Sequence, residues 1–119
     1  MVFKVRPMEK AHKYKAKAVT VDGIRFPSKK EAARWFELVL LQKAGEISGL
    51  ERQVSILLHG ELGPIKTPTG RNAIYKADFT YTDAKTGAKV IEDAKGYQTP
   101  EYKLKRAILA AQGIVIREV

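Results

Sequence analysis

The sequence has 119 residues, with 22 lysines and arginines against 13 aspartates and glutamates, so its formal net charge is +9. That length suits one domain with one core, and 45% hydrophobic residues are too many for a disordered basic chain. The sequence has no cysteine, which excludes disulfides, a thiol nucleophile and cysteine-ligated zinc or iron–sulfur centres. Such a positive charge predicts a polyanionic partner, either nucleic acid or an anionic membrane surface.

Residues 1–17 are predicted to form a basic N-terminal arm, and residues 18–119 a single domain. The arm holds six lysines and arginines against one acid, Glu9, a net charge of +5. It is either a solvated, partly disordered segment or an arm that orders along phosphates, with Lys13, Lys15 and Lys17 as candidate DNA contacts. It lacks the broad apolar face of a membrane helix and the apolar region of a secretory signal. We therefore expect no membrane partner and a cytoplasmic location.

The domain is predicted to begin with a hairpin and a helix. Asp22-Gly23 is a favoured two-residue turn between β-branched and aromatic residues over 18–26. Ser28, with Glu31 three residues later, fits the capping box at the start of a helix that ends near Gly45. The apolar residues of this helix predict a broad stripe that faces the core: Ala32, Trp35, Phe36, Val39, Leu40 and Ala44.

The remaining chain predicts three strands, a second helix and a last strand. The strands cover residues 54–59, 73–81, 89–95 and 114–119, and residues 60–72 are either a loop or an irregular hairpin. In the second strand, alternation places Ala73, Tyr75, Ala77, Phe79 and Tyr81 on one face. Thr99-Pro100 starts the second helix, which ends near Gly113. Together these elements predict one mixed α/β or α+β domain.

Two aspartates are predicted to meet on the hairpin formed by the strands over 73–81 and 89–95. If the connecting loop is residues 84–87, Asp78 lies opposite Asp93, and the two side chains share a face with Lys95. Two such close carboxylates repel each other unless a cation lies between them, and Mg²⁺ prefers one or two carboxylates plus waters and phosphate. The backbone carbonyl of Ala94 is a further candidate ligand. A three- or five-residue loop would break this register, and solvated charge pairs are the alternative interpretation.

These residue types indicate metal-assisted phosphodiester hydrolysis. A metal held by Asp78 and Asp93 can bind a scissile phosphate oxygen, and Lys95 can orient the attacking water or stabilise developing charge. Acyl transfer would need a nucleophile beside a base, and neither His12 nor His59 has such a neighbour in sequence.

Asp78 followed by Asp93-Ala94-Lys95 resembles the signature of the PD-(D/E)xK nucleases, with Ala77 in place of the proline. This resemblance implies a restriction-endonuclease-like core, a central mixed sheet in the order helix-strand-strand-strand-helix-strand. It also implies that a glutamate of the first helix serves the metal site, a place that Glu31 occupies. Whether Glu31 is a metal ligand, a helix cap or both stays open. In related nucleases the second helix presents a basic residue to the active site, and Lys103 is the candidate for that role.

A wider resemblance covers residues 12–119. The segments VDGIRFPSKKEAARW, LQKAGEISGLERQ and IEDAKGYQTPEYKLKR resemble a family of small phage and prophage proteins that was catalogued as a domain of unknown function and assigned to the same superfamily. We therefore expect a Mg²⁺-dependent endodeoxyribonuclease, with Mn²⁺ able to substitute, that acts as a homodimer on branched DNA like a Holliday-junction resolvase. Arg106 and Arg71 are further candidate DNA contacts. The alternatives are a non-catalytic basic DNA-binding protein and a nicking or sequence-specific restriction-type endonuclease.

Overall fold

The computed structural model describes residues 17–94 and 98–119, and this part of the chain contains two helices and eight strands. The helices are α1 (Lys29–Lys43) and α2 (Pro100–Ala111). The strands are β1 (Val19–Val21), β2 (Ile24–Phe26), β3 (Ile47–Leu57), β4 (His59–Gly60), β5 (Gly63–Pro64), β6 (Ile74–Asp83), β7 (Lys89–Asp93) and β8 (Ile116–Glu118).

The centre of the fold is a four-stranded mixed sheet in the order β3-β6-β7-β8. The pairs β3–β6 and β6–β7 are antiparallel, whereas β8 lies parallel to β7. A parallel pair needs a crossover, and α2 lies in that connection. The sheet and its two helices confirm the predicted mixed α/β class and the order helix-strand-strand-strand-helix-strand.

The N-terminal hairpin and the cap of α1 follow the local sequence signals. Val21 pairs with Ile24 across Asp22 (φ 51°) and Gly23 (φ 79°), and two consecutive positive φ values are typical of a type I′ turn. The hydroxyl of Ser28 accepts a hydrogen bond from the backbone N–H of Glu31 at 3.1 Å. The hairpin and the Ser28 N-cap are therefore confirmed, and the Glu31 carboxylate accepts from Gln53.

Strand β3 is much longer than predicted. It begins at Ile47 instead of Val54, and its pairing with β6 shifts register between Ser48 and Glu51. The polar segment before Val54 carries no strand pattern, and its extended form depends on backbone hydrogen bonds to β6. The segment from residue 60 to 72 is an irregular hairpin, with β4–β5 and an isolated bridge between Lys66 and Asn72.

The predicted apolar residues of β6 from Tyr75 to Tyr81 are buried, and the polar residues Asp78 and Thr80 between them are buried as well. Tyr75 and Ala77 pack in one cluster with Tyr102 and Leu109 of α2. Phe79 and Tyr81 pack in a second cluster, which the following residues complete: Leu38 of α1, with Ile47, Trp35, Leu41, Leu50 and Val90. The change of cluster falls around Asp78, whose own side chain is only 8% exposed.

The buried stripe of α1 also differs from the prediction. Leu38 is fully buried, whereas Leu40 is 66% exposed and Ala44 is exposed as well. Helical periodicity limits which residues share a face, but the position of the sheet decides which face is covered. Among the described residues, neither helix combines the length and the apolar character needed to cross a membrane.

Candidate functional site

The two aspartates come together through the register of the β6–β7 hairpin. Phe79 pairs with Glu92 and Thr80 with Ile91, and the next position of the same register sets Asp78 opposite Asp93. The loop spans residues 84–87, as predicted, and the N–H of Asp83 donates to the carbonyl of Ala88 at 2.9 Å. The predicted register is therefore confirmed from Thr82–Lys89 to Phe79–Glu92, and the place of Asp78 opposite Asp93 follows from extending it by one position.

Both carboxylates are buried where the regular ladder ends. Asp78 is 8% exposed and Asp93 is 0% exposed. Beyond the Phe79–Glu92 pair, the backbone N–H of Ala94 donates to Oδ2 of Asp78 at 2.8 Å. This bond fixes the Asp78 carboxylate against the strand that carries Asp93. Burying a carboxylate costs free energy unless hydrogen bonds, cations or metals compensate its charge. Two neighbouring buried carboxylates are therefore a candidate functional site in a chain whose net charge is +9.

Tyr102 of α2 lies on the same side of the sheet as Asp93. Burial raises the pKa of Tyr102, and its hydrogen bond to Glu118 (2.8 Å) and the negative charge of Asp93 raise it further. The phenol therefore stays protonated at neutral pH and donates to Glu118. Glu118 also accepts from Arg106 at 2.9 Å, so that α2 is tied to β8 beside the aspartates.

Glu31 lies in the first turn of α1, and its side chain is directed to β3. Its side chain is 3% exposed, and its Oε2 accepts a hydrogen bond from Nε2 of Gln53 at 2.7 Å. The guanidinium of Arg52 lies 3.9 Å from the same oxygen. The residue is therefore part of the N-terminal cap through its backbone N–H, while its carboxylate is directed to β3.

Gln53 is a residue that the sequence analysis missed. It has a φ of 55°, a left-handed conformation that is uncommon for a residue other than glycine and often occurs at functional sites. The flanking pairs are Arg52–Phe79 and Val54–Ala77, so Gln53 faces Asp78. A row of polar residues thus crosses three neighbouring strands, from Gln53 through Asp78 to Asp93. The polar pair Arg52-Gln53, directly before the apolar residues of β3, is the sequence signal that could have drawn attention to this position.

The donor set fits a metal with few protein ligands. No group of three or more histidine, aspartate or glutamate side chains is close enough to hold a metal within residues 17–94 and 98–119. Two carboxylates remain, with the Ala94 carbonyl as a possible third oxygen. Mg²⁺ is commonly bound through one or two carboxylates and completes its shell with water and phosphate, so Asp78 and Asp93 are compatible with it.

The structure does not test the DNA-binding and catalytic roles predicted for several lysines and arginines. Lys13, Lys15 and Lys95 lie outside the described residues, so their roles stay predictions. Lys17, Arg71 and Lys103 are exposed and available to a ligand. Arg106 is partly exposed and its guanidinium pairs with Glu118.

The opposite face of the sheet holds a buried charge cluster that the sequence analysis also missed. Glu92, which is 0% exposed, accepts from Nε and Nη2 of Arg34 at 2.8 and 2.7 Å. It also accepts from the hydroxyl of Tyr81, and Arg117 lies 4.0 Å away. The hydrogen bond to Glu92 raises the pKa of Arg34, and burial raises that of Tyr81. This cluster holds α1, which carries Glu31, against β7, which carries Asp93.

Comparison with known proteins gives one family. Residues 11–118 match the family model described as "Protein of unknown function (DUF1064)". Because the match covers most of the chain, the protein belongs to this family. Neither the search of curated proteins nor the search of solved structures found a match.

Proposed function

We propose that this family member is a metal-dependent endonuclease that hydrolyses phosphodiester bonds in DNA, with branched DNA as its substrate. The observation that carries the proposal is the buried pair Asp78 and Asp93, aligned by strand register and fixed by the hydrogen bond from Ala94 to Asp78. The net charge of +9 supports a polyanionic substrate. The two buried carboxylates would repel such a substrate unless a bound metal compensated their charge.

On this proposal, Asp78 and Asp93 hold Mg²⁺, or Mn²⁺ in its place, together with the Ala94 carbonyl. The bound ion supplies Lewis-acid polarisation of a phosphate oxygen. Lys95, two residues after Asp93, orients the attacking water or stabilises the charge that develops on the phosphate. Glu31 and Gln53, which are hydrogen-bonded to each other, add a polar pair beside the start of α1.

The substrate preference rests on the size of the domain. A single small domain, such as the one these 119 residues form, suits the recognition of DNA shape and backbone more than that of a long base sequence. Symmetric cleavage of a junction needs two active sites, so we also propose a homodimer that acts in the cytoplasm.

The decisive experiment compares cleavage of a synthetic four-way junction with that of linear duplexes, in Mg²⁺ and in EDTA. We expect the wild-type protein to cleave only with the metal, and both Asp78→Asn and Asp93→Asn to lose at least about two orders of magnitude in rate. Glu61→Gln, at an exposed position in the β4–β5 turn, is the matched control and should cleave normally.

Each outcome separates the candidate functions. DNA binding without cleavage in wild type and both aspartate variants would refute the nuclease and indicate a non-catalytic DNA-binding protein. Equal cleavage of junction and duplex would refute the junction preference and indicate a nicking or restriction-type enzyme. Sedimentation of a monomer on the junction would refute the homodimer.

A further inference from the structure

A cleft of about 490 Å³ lies between the N-terminal hairpin and β3, where α1 begins. Its walls come from separate parts of the chain: Ala18, Arg25, Pro27, Arg52 and Gln53. This volume lies within the range of small-ligand sites and exceeds what a single phosphate needs.

The cleft adjoins the candidate site through Gln53. This residue lines the cleft, bonds to Glu31 and faces Asp78 across the β3–β6 pair. Neighbouring strands are about 4.8 Å apart, so the backbone at Gln53 is about one strand spacing from the backbone at Asp78 and about two from that at Asp93. A DNA strand that runs from the cleft across the β3–β6 pair would therefore approach Asp78.

Two guanidinium groups give the cleft its charge. Arg52 is held in place because its guanidinium lies 4.7 Å from the ring centroid of Phe26 and its Nη2 donates to the carbonyl of Arg25 at 3.3 Å. Its Nε is buried and has no hydrogen-bond partner among the described residues. Arg25 is exposed, and in the described part of the chain its side chain forms no ion pair.

The negative charge nearest the cleft is already compensated. Glu31 is buried, bonds to Gln53 and lies 3.9 Å from Arg52, so it does not present a bare carboxylate. The lining thus combines two planar guanidinium groups, whose paired N–H groups suit two oxygens of a phosphate, with the small apolar side chains of Ala18 and Pro27.

We propose that this cleft binds one nucleotide of the substrate strand next to the phosphate that is cut, with the phosphate of that nucleotide on Arg25 and Arg52. The inference rests on the proposed function, because it takes the cleaved DNA as the ligand. It adds a substrate-binding subsite to the metal site and makes Arg25 and Arg52 binding residues. Gln53 then links the subsite to Glu31.

The test measures binding of a fluorescent synthetic four-way junction in EDTA, so that it does not depend on cleavage. Arg25→Gln removes the exposed charge, and Ala18→Phe fills the cleft without changing the charge. Lys43→Gln, at the other end of α1, and Ala88→Phe, directly after the β6–β7 loop, are the matched controls at exposed positions. Circular dichroism and thermal melting establish that each variant is folded.

We expect Arg25→Gln to raise Kd about tenfold, the loss typical of one charge-assisted hydrogen bond, and to reduce the salt dependence of binding by about one phosphate contact. Ala18→Phe should raise Kd to a similar extent, and both controls should stay within about twofold. If Ala18→Phe or Arg25→Gln behaves like its control, the cleft is not a subsite and the inference is overturned.

The same variants separate this inference from the nuclease itself. The expected binding pattern in a protein that never cleaves would support the cleft and refute the nuclease. Mg²⁺-dependent cleavage with unchanged KM in Arg25→Gln and Ala18→Phe would refute the cleft and support the nuclease. Failure of the wild-type protein to bind the junction would overturn both.

Discussion

Replacing Arg34 by methionine should destabilise the protein by about 3 kcal/mol, because the fully buried Glu92 carboxylate loses its bidentate partner. The two lost bonds are short, 2.8 and 2.7 Å. Tyr81 still donates to Glu92, and Arg117, 4.0 Å away, can approach, so the loss should fall at the lower end of the range for broken buried pairs. For a domain of this size, 3 kcal/mol corresponds to a fall in Tm of about 12 °C.

Urea unfolding followed by fluorescence is the appropriate assay, because the single tryptophan, Trp35, lies on α1 and stacks on Phe79. The triple variant Arg34→Met, Glu92→Leu, Tyr81→Phe replaces the cluster by apolar side chains and should return to within about 1 kcal/mol of wild type. A loss below about 1 kcal/mol in Arg34→Met, or a triple variant as unstable as the single one, would refute the argument that an uncompensated buried charge dominates.

Three further predictions concern single side chains. Gln53→Gly should be more stable than Gln53→Ala by about 1 kcal/mol in urea unfolding, because both variants lose the hydrogen bond to Glu31 but only glycine adopts a positive φ without strain. Equal stabilities would contradict backbone strain at this position. Burial raises the pKa of Tyr102, so its contribution to stability is complete below about pH 10, where unfolded tyrosine titrates, and is lost as pH rises towards the folded pKa. The urea midpoint of wild type should therefore fall more than that of Tyr102→Phe between pH 8 and 11, and parallel curves would exclude this linkage. Ser28→Ala should lower the free energy of unfolding by about 1 kcal/mol in thermal unfolding, because it removes the N-cap of α1. Ser55→Ala, at an exposed position, should lower it less, and equal losses would argue against the cap.

The sequence predicted local features with clear chemical causes. The Asp22-Gly23 turn, the Ser28 cap and the Thr99 cap all depend on residues within a few positions of one another. The alignment of Asp78 with Asp93 was also predictable, because the length of one short loop fixes the register of the whole hairpin. The metal and the DNA substrate stay predictions.

Features that join distant segments were not predictable. Strand β3 begins at Ile47 because β6 supplies its hydrogen bonds, and nothing in its polar sequence signals an extended form. Leu38 was missed in favour of Leu40, since only the position of the sheet selects the buried face of α1. The left-handed conformation of Gln53 was likewise not predictable, since the polar residues before the apolar run of β3 do not specify a positive φ.

The sequence by itself determined the type and order of the core elements and the register of the β6–β7 hairpin, since propensity, capping and loop length act over short distances. The tertiary structure alone decided that Glu31 meets Gln53 across 22 positions and that Arg34 meets Glu92 across 58. Such contacts form only when α1 packs on the sheet, because burial makes each charged group require a partner that the chain must bring from elsewhere.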